Sequence, residues 1–140
     1  MATVIRAEIS PRNKYWIDKH RHYELKHFCL QYPMWKKMYA DLSDLSATLT
    51  RRGREIFANN TPSDPTAKCA IKKAYYAERI EMVENAAKEA DPYLYKYILR
   101  AVTEELSFTY LKTVMNIPCG KDMYYDRYRK FFWLLSNTRD

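Results

Sequence analysis

The sequence predicts an all-α fold, specifically a helical bundle with a C-terminal helix-turn-helix. The 140 residues include only 2 glycines and 6 prolines, and strands normally need more turn residues than that. Hydrophobic residues make up 47% of the chain, enough to build a buried core. Apolar residues in the second half recur at steps of three and four, which is the spacing of an amphipathic helix.

The first helices are expected in a basic N-terminal arm, residues 1–60. Ser10 can cap a helix and Pro11 suits its first turn, so a helix is expected from about residue 11 to residue 31. Pro33 interrupts this helix and starts a short second one. Four residues of the second helix are available for burial: Met34, Trp35, Met38 and Leu42.

Residues 43–66 are predicted to form a connector, with room for one more short helix, because they are rich in Ser, Thr, Asn, Asp and Pro. Arg51, Arg52 and Arg54 lie in this connector. We expect the three arginines to be flexible phosphate contacts. A solvated loop that binds nothing is the alternative.

Residues 61–140 are predicted to form the helical core. Asp64 and Pro65 open a long helix that ends near Ala90, with Lys and Glu side chains mostly outside its apolar stripe. Packing inside the monomer and a homodimer seam both account for such a stripe. The stripe consists of Tyr76, Ile80, Val83, Ala87 and Ala90.

Two shorter helices are expected next. Asp91-Pro92 repeats the start signal and gives a helix to about Glu104, whose buried side is Leu94, Ile98 and Val102. Ser107 can then cap a short helix, and Asn116 can adopt the left-handed conformation that ends it.

Pro118 prevents that helix from continuing, and a last helix follows over residues 120–136. The segment 107–136 is therefore a predicted helix-turn-helix. Tyr124, Tyr128, Phe131 or Phe132, and Leu135 are expected to pack on Leu111, Val114 and Ile117.

The opposite face of the last helix is predicted to enter a DNA major groove, which is wide enough for one α-helix. An amphipathic helix that only closes a bundle is the alternative. The candidate DNA-binding residues of this helix are Lys121, Asp122, Tyr125, Arg127, Arg129 and Lys130.

The stretch from Leu106 to Leu135 resembles the C-terminal part of small phage and prophage regulators of the ArpU and RinA type, and more distantly the C-terminal DNA-binding region of sigma factors. The resemblance rests on an Ile-Pro turn, a Tyr-Tyr pair, basic residues and two large apolar residues. These are Ile117, Pro118, Tyr124, Tyr125, Arg127, Arg129, Lys130, Phe131 and Phe132. It implies DNA binding and transcription control in a bacterial host cell.

The charge pattern is consistent with a polyanion partner. The net charge is +7, and residues 1–60 carry 11 Lys and Arg against 6 Asp and Glu. Double-stranded DNA is the expected partner, and RNA polymerase and a second copy of the chain are further candidates. Two alternatives stay open: a DNA-packaging adaptor like a small terminase, and a protein that inhibits a nucleic-acid enzyme by binding it.

Catalysis is not expected. His20, Glu24 and His27 share one helix face and could hold a metal, but a surface or partly buried row of side chains explains them more simply, so no metal or other cofactor is expected. Three cysteines without a CxxC pair predict neither a disulfide framework nor a zinc cage. The sequence also lacks an apolar run long enough for a membrane span and a signal-peptide core, so a cytoplasmic protein is expected.

Overall fold

The computed structural model describes residues 11–56 and 64–139; within that range the side chains of residues 52–56 and 64 are not described. The described residues contain helices and turns but no strand, so the all-α prediction is confirmed. None of the described helices combines the length and apolar character that a bilayer crossing requires. The helices are α1 (Lys19–Leu30), α2 (Tyr32–Ile56), α3 (Asp64–Ala90), α4 (Tyr95–Glu104), α5 (Phe108–Thr113) and α6 (Lys121–Thr138).

The chain divides into two compact units. Of the described residues, 11–32 and 82–139 belong to one, called here the core unit, and 33–56 and 64–81 belong to the other, the hairpin unit. The long helix α3 contributes to both. The boundary expected between residues 60 and 61 lies outside the described residues.

The first helix begins later than predicted. Residues 11–18 are turns and irregular chain, and Ser10 lies outside the described residues. Asp18 caps α1 instead, because its side chain accepts a hydrogen bond from the His20 N–H at 2.9 Å. The break between the first two helices falls at Gln31, and Pro33 lies in the first turn of α2, where a proline needs no hydrogen-bond partner.

The predicted connector is wrong for residues 43–56, since they continue α2. The Thr48 hydroxyl donates to the Asp44 carbonyl at 3.2 Å, so its polar group is satisfied inside the helix. Burial in α2 also differs from the expectation. Trp35 is buried, whereas Met34 and Met38 are exposed.

The long helix α3 spans the predicted residues, Asp64 to Ala90. Its predicted stripe is confirmed, because Ile80, Val83, Ala87 and Ala90 are buried and Tyr76 is half-buried. The stripe therefore belongs to the packed interior of the monomer.

Helices α1, α4 and α6 supply most of the large buried side chains of the core unit, and Val83 and Ala87 of α3 and Leu111 of α5 are buried as well. Helix α4 begins at Tyr95, later than the predicted start at Asp91-Pro92. Leu94 directly before it and Ile98 and Val102 within it are buried as predicted, and α1 contributes Leu25 and Phe28. Four residues of α6 complete the interior: Tyr124, Phe131, Phe132 and Leu135.

Two predicted contacts of α6 differ in the structure. Val114 follows the last residue of α5 and is 58% exposed, so it is not a packing partner. Tyr128 is half-buried. Leu111 and Ile117 are buried as predicted.

The C-terminal end of α6 is fastened to α1 by Arg21. Its guanidinium donates to the Ser136 hydroxyl at 3.1 Å, to the Ser136 carbonyl at 3.0 Å and to the Arg139 carbonyl. The Arg139 guanidinium in turn lies over the Phe28 ring, 4.3 Å from its centre. Both ends of α6 are therefore held, since Tyr124 is buried near its start.

Replacing Phe132 by Ala should lower the free energy of unfolding by about 3 to 5 kcal/mol, because it removes a fully buried aromatic side chain. Urea unfolding followed by circular dichroism measures the change. Met123→Ala is the matched control in the same helix, since Met123 is 44% exposed. Equal losses in the two variants would contradict the assigned faces of α6.

His22 is a buried histidine among aromatic rings. Its ring lies edge-on to Phe132 at 4.8 Å and tilted to Tyr128 at 6.2 Å. Neither ring nitrogen has a hydrogen-bond partner among the described residues. Burial, together with the nearby charge of Lys26, lowers the pKa of His22 to about 4, so the imidazole is neutral at pH 7.

This histidine should make the fold sensitive to acid. The unfolded chain takes up the proton near pH 6.5 and the folded chain only near pH 4, so stability is complete above pH 6.5 and falls between these values. The loss should be about 3 kcal/mol. Urea unfolding at pH 7, 5.5 and 4.5 measures it, and His22→Leu should lack this part of the pH dependence. An identical pH profile in the variant would exclude His22 as the cause.

Candidate nucleic-acid interface

The first turn of α6 is the most exposed part of that helix's N-terminal half. Gly120 precedes it in an extended conformation, with φ −82° and ψ 174°. Lys121, Asp122 and Met123 are all exposed, whereas Tyr124 is buried. Asp122 lies in the first turn, where its negative charge interacts favourably with the positive end of the helix dipole. Polar groups and one apolar side chain are thus presented together.

The chain that leads into α6 is fixed by local bonds. The Ser107 side chain caps α5 by accepting from the Tyr110 N–H at 3.1 Å, as predicted. Asn116 has φ 54°, the predicted left-handed conformation. The Ile117 N–H then bonds the Leu111 carbonyl at 3.0 Å, and both side chains are buried. The turn therefore holds α5 and α6 in one arrangement.

Tyr125 belongs to a cluster of rings rather than to open surface. It is half-buried, with its ring 5.1 Å from Tyr124, 6.1 Å from Tyr128 and 6.4 Å from Phe108. Phe108 of α5 also contacts Tyr124 at 5.4 Å. The cluster joins α5 to α6, and only part of the Tyr125 ring remains for a ligand.

Arg127 is engaged inside the core unit. Its Nε donates to the Asp91 carboxylate at 3.0 Å, and its Nη1 bonds Asp126. Asp91 is buried, and its other oxygen accepts from the N–H groups of Tyr93 at 2.8 Å and Leu94 at 3.0 Å. Arg127 thus ties α6 to the start of α4.

The pKa of Asp91 is the result of opposing effects. Burial alone would raise the pKa of this carboxyl, but the two N–H groups and the Arg127 guanidinium more than offset burial and hold the pKa below its ordinary value. Asp91 is therefore ionised at neutral pH, and both oxygens of its carboxylate accept hydrogen bonds from these partners.

The other basic candidates differ in their surroundings. Arg129 and Lys130 are half-buried on α6. Arg51 is exposed, but it lies on α2 in the hairpin unit. Arg52 and Arg54 lie within α2, and their side chains are outside the described residues. The structure therefore groups only the α6 candidates in one unit.

An open groove next to the turn was not anticipated from the sequence. It has a volume of about 770 Å³ and lies between the start of α4 and the turn before α6. Tyr93 is 90% exposed, and Lys96 is exposed as well. The groove is lined by Pro92, Tyr93, Tyr95, Lys96, Tyr97, Arg100 and Met115.

The sequence carries a signal for this groove. Lys96 and Arg100 are four residues apart and share a face of α4, and Tyr93 lies in the turn directly before this helix. The Arg100 guanidinium is already engaged in the protein, since its Nε and Nη2 donate to the Glu104 carboxylate at 2.9 and 3.0 Å. Lys96 and the ring of Tyr93 are the more accessible groups.

The row of His20, Glu24 and His27 is exposed on α1. Glu24 pairs with Arg21 at 2.7 Å and with Arg139 at 3.6 Å. The hydrogen bond from Arg21 is the largest influence on the pKa of Glu24 and lowers it. Across residues 11–56 and 64–139, no cluster of three His, Cys, Asp or Glu side chains is arranged to hold a metal ion.

Comparisons with protein-family models, with curated proteins and with solved structures found no match.

The contact between Arg127 and Asp91 should stabilise the fold. Arg127→Ala should lower the free energy of unfolding by about 1 to 3 kcal/mol, because it leaves a buried carboxylate without one charged partner. Urea unfolding measures the loss, and Asp91→Asn should cost less when Arg127 is already Ala. Arg100→Ala, which breaks an exposed pair, should have far less effect. Additive losses for Asp91 and Arg127 would refute the coupling.

Proposed function

We propose that the protein binds double-stranded DNA and that α5, the following turn and α6 form a helix-turn-helix. The observation that carries the proposal is the exposed first turn of α6 on an otherwise anchored helix. In helix-turn-helix proteins the N-terminal residues of the second helix contact base edges. Lys121, Asp122 and Met123 occupy that position and are exposed.

The three side chains offer different contacts in a major groove. The Lys121 ammonium can donate to the O6 and N7 acceptors of guanine, and the Asp122 carboxylate can accept from the amino group of cytosine. Met123 supplies an apolar surface for a thymine methyl group. A mixed set of this kind is suited to sequence discrimination, since each group favours a different base.

Contacts to phosphate would come from basic side chains around this turn. Lys112 is exposed at the end of α5, and its ammonium lies 3.5 Å from the Cys119 carbonyl in the turn. Lys96 is exposed at the groove on α4, and Lys130 is half-buried on α6. Phosphate contacts position a protein on DNA without reading its sequence, so these lysines would set the orientation of α6.

A transcriptional regulator is the role that we propose for this DNA-binding activity. It rests on the resemblance of residues 106–135 to phage and prophage regulators of the ArpU and RinA type. RNA polymerase is then a proposed partner, since regulators of transcription act on the enzyme that starts it.

The substitution Lys121→Ala should lower specific affinity by about 1 to 3 kcal/mol, the range for loss of a good base contact. The probe is a fluorescent duplex obtained by selection from a randomised library, and binding is followed by anisotropy at fixed salt. Lys19→Ala is the control, because Lys19 is also an exposed lysine but lies at the start of α1. The fold should be unchanged in both variants.

The result also separates specific from non-specific binding. Lys121→Ala should weaken the selected duplex more than a scrambled one, whereas a phosphate contact would weaken both equally. Equal effects of the Lys19 and Lys121 substitutions would contradict the assignment of α6. Failure of the wild-type chain to bind any duplex at low salt would exclude the proposed function.

A further inference from the structure

The groove beside α4 is lined mainly by aromatic side chains. Three of its residues are tyrosines, Tyr93, Tyr95 and Tyr97, and Met115 adds a further apolar side chain. The Tyr93 side chain is 90% exposed, so it contributes almost nothing to the core of the protein. The groove volume of about 770 Å³ lies within the range of sites for small molecules and cofactors, about 300 to 1,000 Å³. The groove therefore offers an accessible ring in a space large enough for a ligand.

The groove is also basic. Lys96 is exposed on α4, and none of the ion pairs among the described residues includes it. The Lys88 ammonium of α3 lies 5.7 Å from the centre of the Tyr95 ring. Arg100 is held by the Glu104 carboxylate, and none of the described residues that line the groove is acidic. The two lysines therefore give the groove a positive charge that favours an anionic ligand.

Rings and cations in one groove are the combination that binds single-stranded nucleic acids. An unpaired base stacks on an exposed aromatic ring, and basic side chains contact the phosphates. The stretch from Tyr93 to Arg100 places three tyrosines and two cationic residues within eight positions. An acidic peptide would also pair with the lysines, but its carboxylates would leave the face of the Tyr93 ring uncovered. A nucleotide uses both the ring and the cations.

We propose that the groove binds single-stranded DNA, with one base stacked on the Tyr93 ring and a neighbouring phosphate at the Lys96 ammonium. Lys88, beside the Tyr95 ring, is placed for a further phosphate. The choice of DNA over RNA rests on the proposed function, because the groove lies next to the turn that leads into α6. The stacking itself depends on the groove alone.

A base inside a duplex cannot make this contact. Both of its faces are stacked on neighbouring bases, and it must leave the stack before it can reach a side-chain ring, which requires free energy for unpairing. A single strand has no such requirement. The groove should therefore discriminate between unpaired and paired DNA, whereas the first turn of α6 is proposed to contact the paired form.

Binding of a fluorescein-labelled decamer of deoxythymidylate, oligo(dT), tests the stacking contact. Anisotropy at low salt gives the dissociation constant of the full-length protein. Tyr93→Ala should raise this constant at least about fivefold, the lower end of the range for one base stacked on an aromatic residue. Tyr93→Phe should stay within about twofold of the wild-type chain, because the ring remains. Tyr23→Ala is the matched control, since Tyr23 is an exposed tyrosine of the core unit that does not line the groove.

An oligomer without bases separates stacking from charge. A decamer of abasic deoxyribose phosphates carries the same charge as oligo(dT) but has no ring to stack. The wild-type chain should bind it at least about fivefold more weakly, and Tyr93→Ala should not change that affinity. Lys96→Ala should weaken both probes and should lower the slope of log affinity against log salt by about 0.7, the value for one phosphate contact on a single strand.

The proposal is overturned if the wild-type chain binds no oligo(dT) at low salt, or if it binds the abasic decamer as tightly as oligo(dT). Equal effects of Tyr93→Ala and Tyr23→Ala would overturn it as well. A polyglutamate peptide of the same charge that displaces oligo(dT) as well as unlabelled oligo(dT) does would identify an acidic-peptide site instead. Binding of oligo(U) at least about fivefold tighter than that of oligo(dT) would overturn the choice of DNA.

The duplex selected for the Lys121 experiment, measured with the same variants, keeps this test separate from the proposed function. Tyr93→Ala should leave the affinity for that duplex within about twofold, because paired bases do not reach the ring. A chain that binds oligo(dT) through Tyr93 but binds no duplex would contradict the helix-turn-helix proposal and support stacking in the groove. Equal losses for oligo(dT) and the duplex would overturn the proposal. Circular dichroism should show that the Tyr93 variants keep their helix content, since the side chain is exposed.

Discussion

Burial of the aromatic face of α6 is the constraint on which the core unit depends. Tyr124, Phe131 and Phe132 are almost completely buried, and each removes a large apolar surface from water. Helix α6 contacts both α1 and α4, so its position is set by tertiary packing. The exposed first turn follows directly, because a helix that is fixed along one face must present the residues of its other face at defined positions.

Asp91 links this packing to the chain connections. It lies between α3 and α4, where its carboxylate holds the N–H groups of Tyr93 and Leu94 and receives the Arg127 guanidinium from α6. A buried carboxylate without hydrogen-bond partners destabilises the fold. Helix packings that separate Asp91 from its three donors are therefore disfavoured. Arg127 therefore helps to hold α6 in position, and we do not count it among the residues that contact DNA.

The sequence predicted the second half of the chain well because its boundaries depend on local chemistry. Ser107 and Asn116 act through a hydrogen bond and a backbone conformation within a few residues. The first half was harder to predict. Residues 43–56 contain many residues that favour turns, yet they are helical in α2, because local propensity is a weak preference that the surrounding structure can override.

The candidate interface was only partly predictable for a related reason. Helical periodicity assigns a face, but it does not show that Arg127 reaches Asp91, 36 positions earlier in the sequence. The burial of His22 was not foreseen either, because its neighbours Tyr128 and Phe132 come from the other end of the chain. Such contacts depend on which helices meet, and one sequence does not contain that information in its local pattern.

The most direct test of the central claim, that the first turn of α6 is the DNA-contacting surface of an anchored helix, is a titration of ¹⁵N-labelled protein with a selected duplex by NMR. The amide signals of Lys121, Asp122 and Met123 should shift most, with smaller shifts for Lys112 and Lys96. Shifts confined to residues 65–81 of the hairpin unit, or none at α6 while the duplex is bound, would contradict the account.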